Sequence, residues 1–194
     1  RNAPEKLLVT HFPELMPPTL ISRDLDAIRA FRRDHGAIII KPLFGNGGQG
    51  VFYLASDDPN FDPLLEWFQA SSVEPVMVQR FLPGVTKGDV RVILIDGKAV
   101  GAINRIPQPG QIRSNMHVGG QAKAVDLDAS CHAICESIGP KLRQDGLLLT
   151  GIDVIDGYLT EINVTSPTGI QEINRFNGVR LDALFWDAVE RKLA

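Results

Sequence analysis

Apolar positions along the chain fall into two periods. Leu25, Ile28 and Phe31 recur at helical spacing within Asp24 to His35, and Gly36 follows as a C-terminal cap. Phe61 to Ala70, Leu127 to Gln144, Gly169 to Phe176 and Leu181 to Leu193 read as further helices, the second bent near Gly139-Pro140. An opening helix is expected from a cap at Asn2 to about His11, with Pro4 in its first turn. Short apolar runs predict strands at Thr19 to Ile21, Ala37 to Lys41, Val51 to Ala55, Val76 to Phe81, Val90 to Ile95, Ala99 to Arg105, Leu147 to Ile155 and Tyr158 to Val164. Asp96-Gly97 and Asp156-Gly157 are hairpin turns. Ile106 to Gly120 has few apolar anchors and reads as a mobile loop. Hairpins rather than repeated strand–helix–strand units make this an α+β chain and argue against a dinucleotide fold.

Bulk composition adds little to that picture. The 194 residues are 44% hydrophobic and 22% charged, ordinary for a globular protein. A net charge of −3 supplies no global field toward nucleic acid or an anionic membrane, so an anionic ligand needs a local basic cluster. No apolar run is long enough to span a bilayer, and aromatic residues are not interleaved with basic ones. Cys131 and Cys135, four apart, read as small apolar residues on one buried helix face and fit a reducing, cytoplasmic setting. His11, His35, His117 and His132 share no ligand spacing, and no serine sits in a nucleophile elbow. The chain begins at Arg1, and an upstream segment is expected.

Chemistry concentrates in four places. Asp153, Glu161 and Asn163 interrupt apolar strands, and three oxygen ligands on one face would suit magnesium. Solvent-facing carboxylates on an antiparallel sheet would read the same way. Glu161 and Asn163 share a face, but Asp153 joins them only if the hairpin carries an odd residue. We expect a three-residue loop with a glycine bulge around Asp156-Gly157, because a tight two-residue turn would pair Asp153 with Thr160. Lys41 ends a strand just before Gly45-Asn46-Gly47-Gly48-Gln49-Gly50, a flap whose amides can approach phosphate. Gln79, Arg80, Phe81 and Leu82 could offer backbone groups to an adenine edge. Asp89 and Arg91 share the face of the next strand, and Arg105 and Arg113 flank the mobile loop that ends in Gly119-Gly120.

Taken in order, Ile40-Lys41-Pro42-Leu43, Gly88-Asp89-Val90-Arg91-Val92, Ala102 to Gln108 and Leu159 to Thr168 resemble the ATP-grasp ligases, and among them the bacterial glutathione synthetases. The resemblance spans nearly the whole chain. It implies an α+β ATP-grasp fold of antiparallel sheets with flanking helices. Residues 1–18 would be a linker from an amino-terminal domain, 19–82 a small subdomain with the flap, and 83–194 a large subdomain with the metal site and lid. It also implies that Lys6, Lys41, Gly47, Gly48, Gln49 and Gly50 contact ATP phosphates, that Gln79 to Leu82 line the adenine pocket, and that Asp89 faces the nucleotide. Asp153, Glu161 and Asn163 would hold two magnesium ions, with manganese as a substitute. Arg91, Arg105 and Arg113 would act on the peptide and the transferred phosphoryl group. Asn104, Gly119, Gly120, Ser166 and Thr168 would meet the substrates, γ-glutamylcysteine and glycine. A homotetramer is expected on the same ground. Arg80 departs from the smaller polar residue expected there.

Overall fold

The computed structural model describes residues 3–45, 47–116 and 119–194. Two antiparallel sheets organise it. The first contains β1 (Thr19–Ser22), β2 (Ile38–Pro42), β3 (Phe52–Leu54) and β4 (Val76–Arg80), in the order β1-β4-β2-β3. Strand period two divides β2 cleanly. Ile38 and Ile40 are fully buried against α2 (Leu25–His35) and α3 (Phe61–Ser71), through Ile28, Phe61, Leu65 and Phe68. Ile39 and Lys41 point the other way, and Gln79 pairs opposite Ile39. Asp24 caps α2 by accepting from the amides of Asp26 and Ala27, as its side-chain type favours.

The second sheet has the order β7-β6-β5-β8-β9, from β5 (Asp89–Ile95), β6 (Lys98–Ile106), β7 (Gln121–Ala124), β8 (Leu149–Ile155) and β9 (Tyr158–Asn163). One face is mainly apolar. Val92, Leu94, Ala102, Ile152, Val154, Leu159 and Ile162 pack under α4 (Ala129–Gln144) and the opening segment, α1 (Glu5–Leu8) with the 3-10 turn behind it. Leu8, Val9, Phe12 and Met16 belong to this core, so the segment expected as a linker lies against β9. The opposite face is divided. Ile93 and Ile103 lie under Ile173 of α5 (Ile170–Asn177) and Leu181 of α6 (Leu181–Leu193), and the remainder is charged.

Cys131 and Cys135 are buried, unpaired and part of the apolar core. Burial pushes their thiols up to about 12 and about 11, so they are inert packing groups near neutral pH. Helix α4 runs through Gly139-Pro140 as one element. A cap at Asn2, and His117, lie outside the described residues.

The hairpin expectation is half right. Asp153 does pair with Glu161, but the loop is a two-residue turn, with Ile155 paired to Tyr158. Asp156 and Gly157 both have positive φ, 50° and 75°, the twist-matched primed turn that Asp-Gly favours. The odd residue is instead Thr160, a bulge inside β9, whose hydroxyl donates to the Asp153 carbonyl at 3.1 Å. The β5–β6 hairpin repeats the device, with a tight Asp96-Gly97 turn and Val100 as the extra residue.

Candidate active site

Strand register builds the site row by row. Asp89 faces Arg105 across β5–β6, Arg91 faces Asp153 across β5–β8, and Asp153 faces Glu161 across β8–β9. Gly151 lies opposite Asn163. A side chain at Gly151 would press on Pro167 and on Arg91 Cδ, at 2.8 and 3.1 Å, so this strand glycine makes room for the arginine.

The charged groups form one connected network. Arg91 grips Asp153 with two nitrogens, at 2.5 and 2.9 Å. Arg105 bridges Asp89 at 2.5 Å and Asp153 at 2.9 Å. Arg105 is 1% exposed and Asp153 4%, so this is a buried network rather than a solvated sheet face. Burial alone would push Asp153 up, but Arg105 and Arg91 outweigh it and hold the carboxyl well below the usual range. Glu161 goes the other way. It is half-buried, and burial and then the Asp153 charge push it up, against Lys41 and Lys6. Lys41 is buried on the opposing sheet, and burial lowers its ammonium. Lys6 donates to the Gly45 carbonyl at 2.8 Å, tying α1 to the flap.

Two chambers open onto this network. The first encloses about 910 Å³, counting its open mouth. Its lining includes the apolar Ile39, Val51, Phe81, Leu82 and Ile155 and the charged Lys6, Lys41, Arg113, Asp89, Asp153 and Glu161. The flap residues Gly47, Gly48 and Gln49 line it, with Gln79 and Arg80. Apolar side chains and three cations beside a glycine flap supply the contacts that a nucleotide's base and phosphates need. The second chamber, about 850 Å³, is lined by Arg91, Arg105, Asn163, Ser166 and Thr168. Glu161, Gly47 and Asn115 line both, so the two chambers meet at one seam.

Several expected residues have a more specific place than their sequence suggests. Arg91 and Arg105 line the second chamber, but their guanidinium groups are committed to Asp153 and Asp89, and Arg91 also donates to the Thr168 carbonyl at 3.2 Å. Arg113 lines the first chamber, apart from the other two arginines. The Arg80 and Phe81 amides donate to Pro18 and Ala37, leaving Leu82 as the free amide of the adenine-edge segment among the described residues. Arg80 itself reaches across to the Tyr158 hydroxyl at 3.2 Å. Gln79 donates to Thr19 Oγ1 at 2.9 Å.

Four expected residues lie outside the lining of the two chambers. Asn104 is next to Arg105 on β6 and therefore points to the other side, where it donates to the Lys87 carbonyl and fills the space beside Gly88. Gly119 and Gly120 shape the loop after β6: Gly119 accepts from Gln108 at 2.6 Å, and Gly120 has no room for a side chain beside the Ser114 carbonyl. Gly50, with φ 68°, lies against Pro42 where the flap returns to β3. Sequence reasoning missed Ser114, Asn115 and Gly151. Only Gly151, a glycine within an apolar strand, carried a readable signal.

The donor set fits a magnesium ion. Among the described residues no group of three or more His, Cys, Asp or Glu could hold a metal. The set here is two carboxylates and an amide. Asn163 donates through its nitrogen to Asp153 at 3.4 Å, which leaves its amide oxygen available to a cation. Oxygen-only ligands in small number suit magnesium, which completes its shell with water and substrate phosphates. The raised Glu161 carboxyl is a site that a cation would relieve.

Comparison with known proteins identifies the family and the fold. Residues 5–178 match the family described as prokaryotic glutathione synthetase, ATP-grasp domain. The glutathione synthetase of Brucella melitensis is 56% identical over 192 residues, which covers 99% of this chain and 62% of the relative. The chain thus spans about 60% of the length of curated relatives that it matches. Among solved structures, the D-cycloserine synthetase DcsG superposes with a TM-score of 0.76 at 18% identity, over 99% of this chain and 71% of that one. The ATP-grasp ligase PsnB, solved with a precursor variant, Mg and ADP, has a TM-score of 0.70 at 20% identity, over 100% and 60%. The fold is therefore the ATP-grasp fold, and the chain belongs to the prokaryotic glutathione synthetase ATP-grasp domain family.

Proposed function

We propose that this chain carries the ATP- and metal-binding part of an ATP-dependent ligase that joins the carboxylate of γ-glutamylcysteine to the amine of glycine. The observation that carries this reading is the seam. The chamber beside the glycine flap and the arginine-lined chamber share Glu161, Gly47 and Asn115 as a common wall. Two reactants held on either side of it would have their reacting atoms adjacent.

In this reading, ATP lies with adenine against Phe81 and Leu82 and its phosphates near Lys6, Lys41, Arg113 and the flap. Asp153, Glu161 and Asn163 hold magnesium, which when bound neutralises charge on the transferring phosphoryl group. The peptide lies near Ser166, Thr168 and the Arg91–Arg105 pair. A carboxylate oxygen attacks the γ-phosphorus and ADP leaves, giving an acyl phosphate. Glycine's amine attacks the acyl carbon, and phosphate and a proton leave as the amide forms. Arg105 and Arg91 keep the Asp153 carboxylate ionised and oriented throughout. The loop over the seam excludes water from the acyl phosphate. Two magnesium ions, manganese as their substitute, a homotetramer and a cytoplasmic setting belong to the same reading by family likeness.

The test is product formation. The full-length protein, given ATP, magnesium, γ-glutamylcysteine and a panel of amines, is expected to release ADP and phosphate and to yield glutathione with glycine. Turnover with a different amine or peptide, and none with this pair, would replace the assigned substrates.

A further inference from the structure

The loop that follows β6 is fastened to the charged network by one contact that the reading above does not use. Ser114 is 4% exposed, and its hydroxyl donates to Asp89 Oδ2 at 2.7 Å. The same oxygen accepts from Arg105, which continues to Asp153 and from there to Arg91. A single chain of contacts thus runs from the loop to the carboxylate assigned to the metal. The residues on either side of Ser114 both reach the site: Arg113 lines the nucleotide chamber, and Asn115 lines both. The flap lies directly beneath them. A side-chain carbon at Gly48 would be 2.8 Å from Asn115 Oδ1 and 3.3 Å from Arg113 Cδ. The next turn of the loop closes on itself, with the Gly120 amide donating to the Asn115 carbonyl at 3.2 Å.

We propose that Ser114 is a positioning residue, a latch that holds residues 112–116 down on Asp89 and so keeps Arg113 in the nucleotide chamber and Asn115 at the seam. The proposal rests on the ligase reading for its effect on turnover, but the latch itself is a property of the loop. A serine fits because it is short enough to reach Asp89 from a buried backbone and supplies a donor that a carboxylate retains strongly once water is excluded. Without it, the loop keeps its glycine turn but loses its charged anchor.

The experiment compares Ser114→Ala and Ser114→Thr with the parent in the full-length protein. Trypsin cleavage after Arg113 reports release of the loop, with each rate normalised to that of the same chain unfolded in urea. The alanine variant is expected to be cut about tenfold faster, the scale of one lost hydrogen bond to a charged group. Its kcat is expected to fall by about tenfold with KM for ATP nearly unchanged, and more ATP should be hydrolysed per amide formed. Threonine, which keeps the hydroxyl, should restore both readouts toward the parent. Cleavage of the alanine variant at the parental rate overturns the latch even if the parent ligates normally. A parent that forms no amide overturns the ligase reading, while the cleavage comparison still decides the latch.

Discussion

Asp153 and Glu161 face each other across two strands and are assigned the same ion, yet their surroundings oppose each other. Arg105 and Arg91 hold Asp153 ionised, so it stabilises the fold above the ordinary carboxylate range and loses that contribution as pH falls through its depressed value. Glu161 is raised, so its favourable contribution is complete only below the ordinary glutamate range and is lost as pH rises through the folded value. Its charged form therefore works against the cation-free fold. Substitution should separate the two. Asp153→Asn is expected to lower stability by about 3 kcal/mol, because it strips two buried guanidinium groups of a charged partner. Glu161→Gln should raise the melting temperature at neutral pH, by about 2–4 °C for about 1 kcal/mol in a chain of this size, and the gain should vanish in acid. Both should abolish turnover. A Glu161→Gln protein that melts below the parent at neutral pH would contradict this account. These two carboxylates were legible because each interrupts an apolar strand. Ser114 was not, since a serine in a polar loop carries no pattern until its partner Asp89, 25 positions earlier, is brought beside it.

At the scale of elements, helices and most strands followed from period alone, and errors fell where the period breaks. The face that Glu161 takes depends on one extra residue. Sequence reasoning located the pairing but put that residue in the turn, whereas Asp156-Gly157 is well suited to the tight turn and the bulge moved to Thr160. No strand is expected at Gln121-Ala122-Lys123-Ala124, which has no β-branched or aromatic residue; β7 forms there as an edge strand because β6 offers a free side. The two Asp-Gly turns provide a comparison. A side chain at Gly157 would meet nothing nearer than Ser130 Oγ at 3.6 Å, so Gly157→Ala should cost about 1 kcal/mol from its left-handed backbone. A side chain at Gly97 would approach the Gly139 carbonyl to 2.5 Å, pushing α4 off the hairpin. Gly97→Ala should therefore cost at least about twice as much, measured by the urea midpoint. Equal midpoints for the two variants would show that the helix yields freely.

For the whole molecule, the decisive feature is that one sheet has two unlike faces. Its apolar face holds the chain together through α4 and the opening segment, while half of the other is a buried charge network set against Lys41 and Gln79 of the first sheet. The two sheets also touch through Arg80 of β4 and Tyr158 of β9, at 3.2 Å. The order of motifs along the chain made the family legible. The division into two chambers was not, because it depends on which way Arg91, Arg105 and Arg113 turn. That division carries the central claim, that a carboxylate in one chamber meets the γ-phosphate in the other. The most direct test labels the cysteinyl carboxylate of γ-glutamylcysteine with oxygen-18 and follows the label in the full-length protein with ATP, magnesium and glycine. Attack of that carboxylate on phosphorus predicts one labelled oxygen in each phosphate released with glutathione. Unlabelled phosphate, or release of AMP and pyrophosphate, would contradict it.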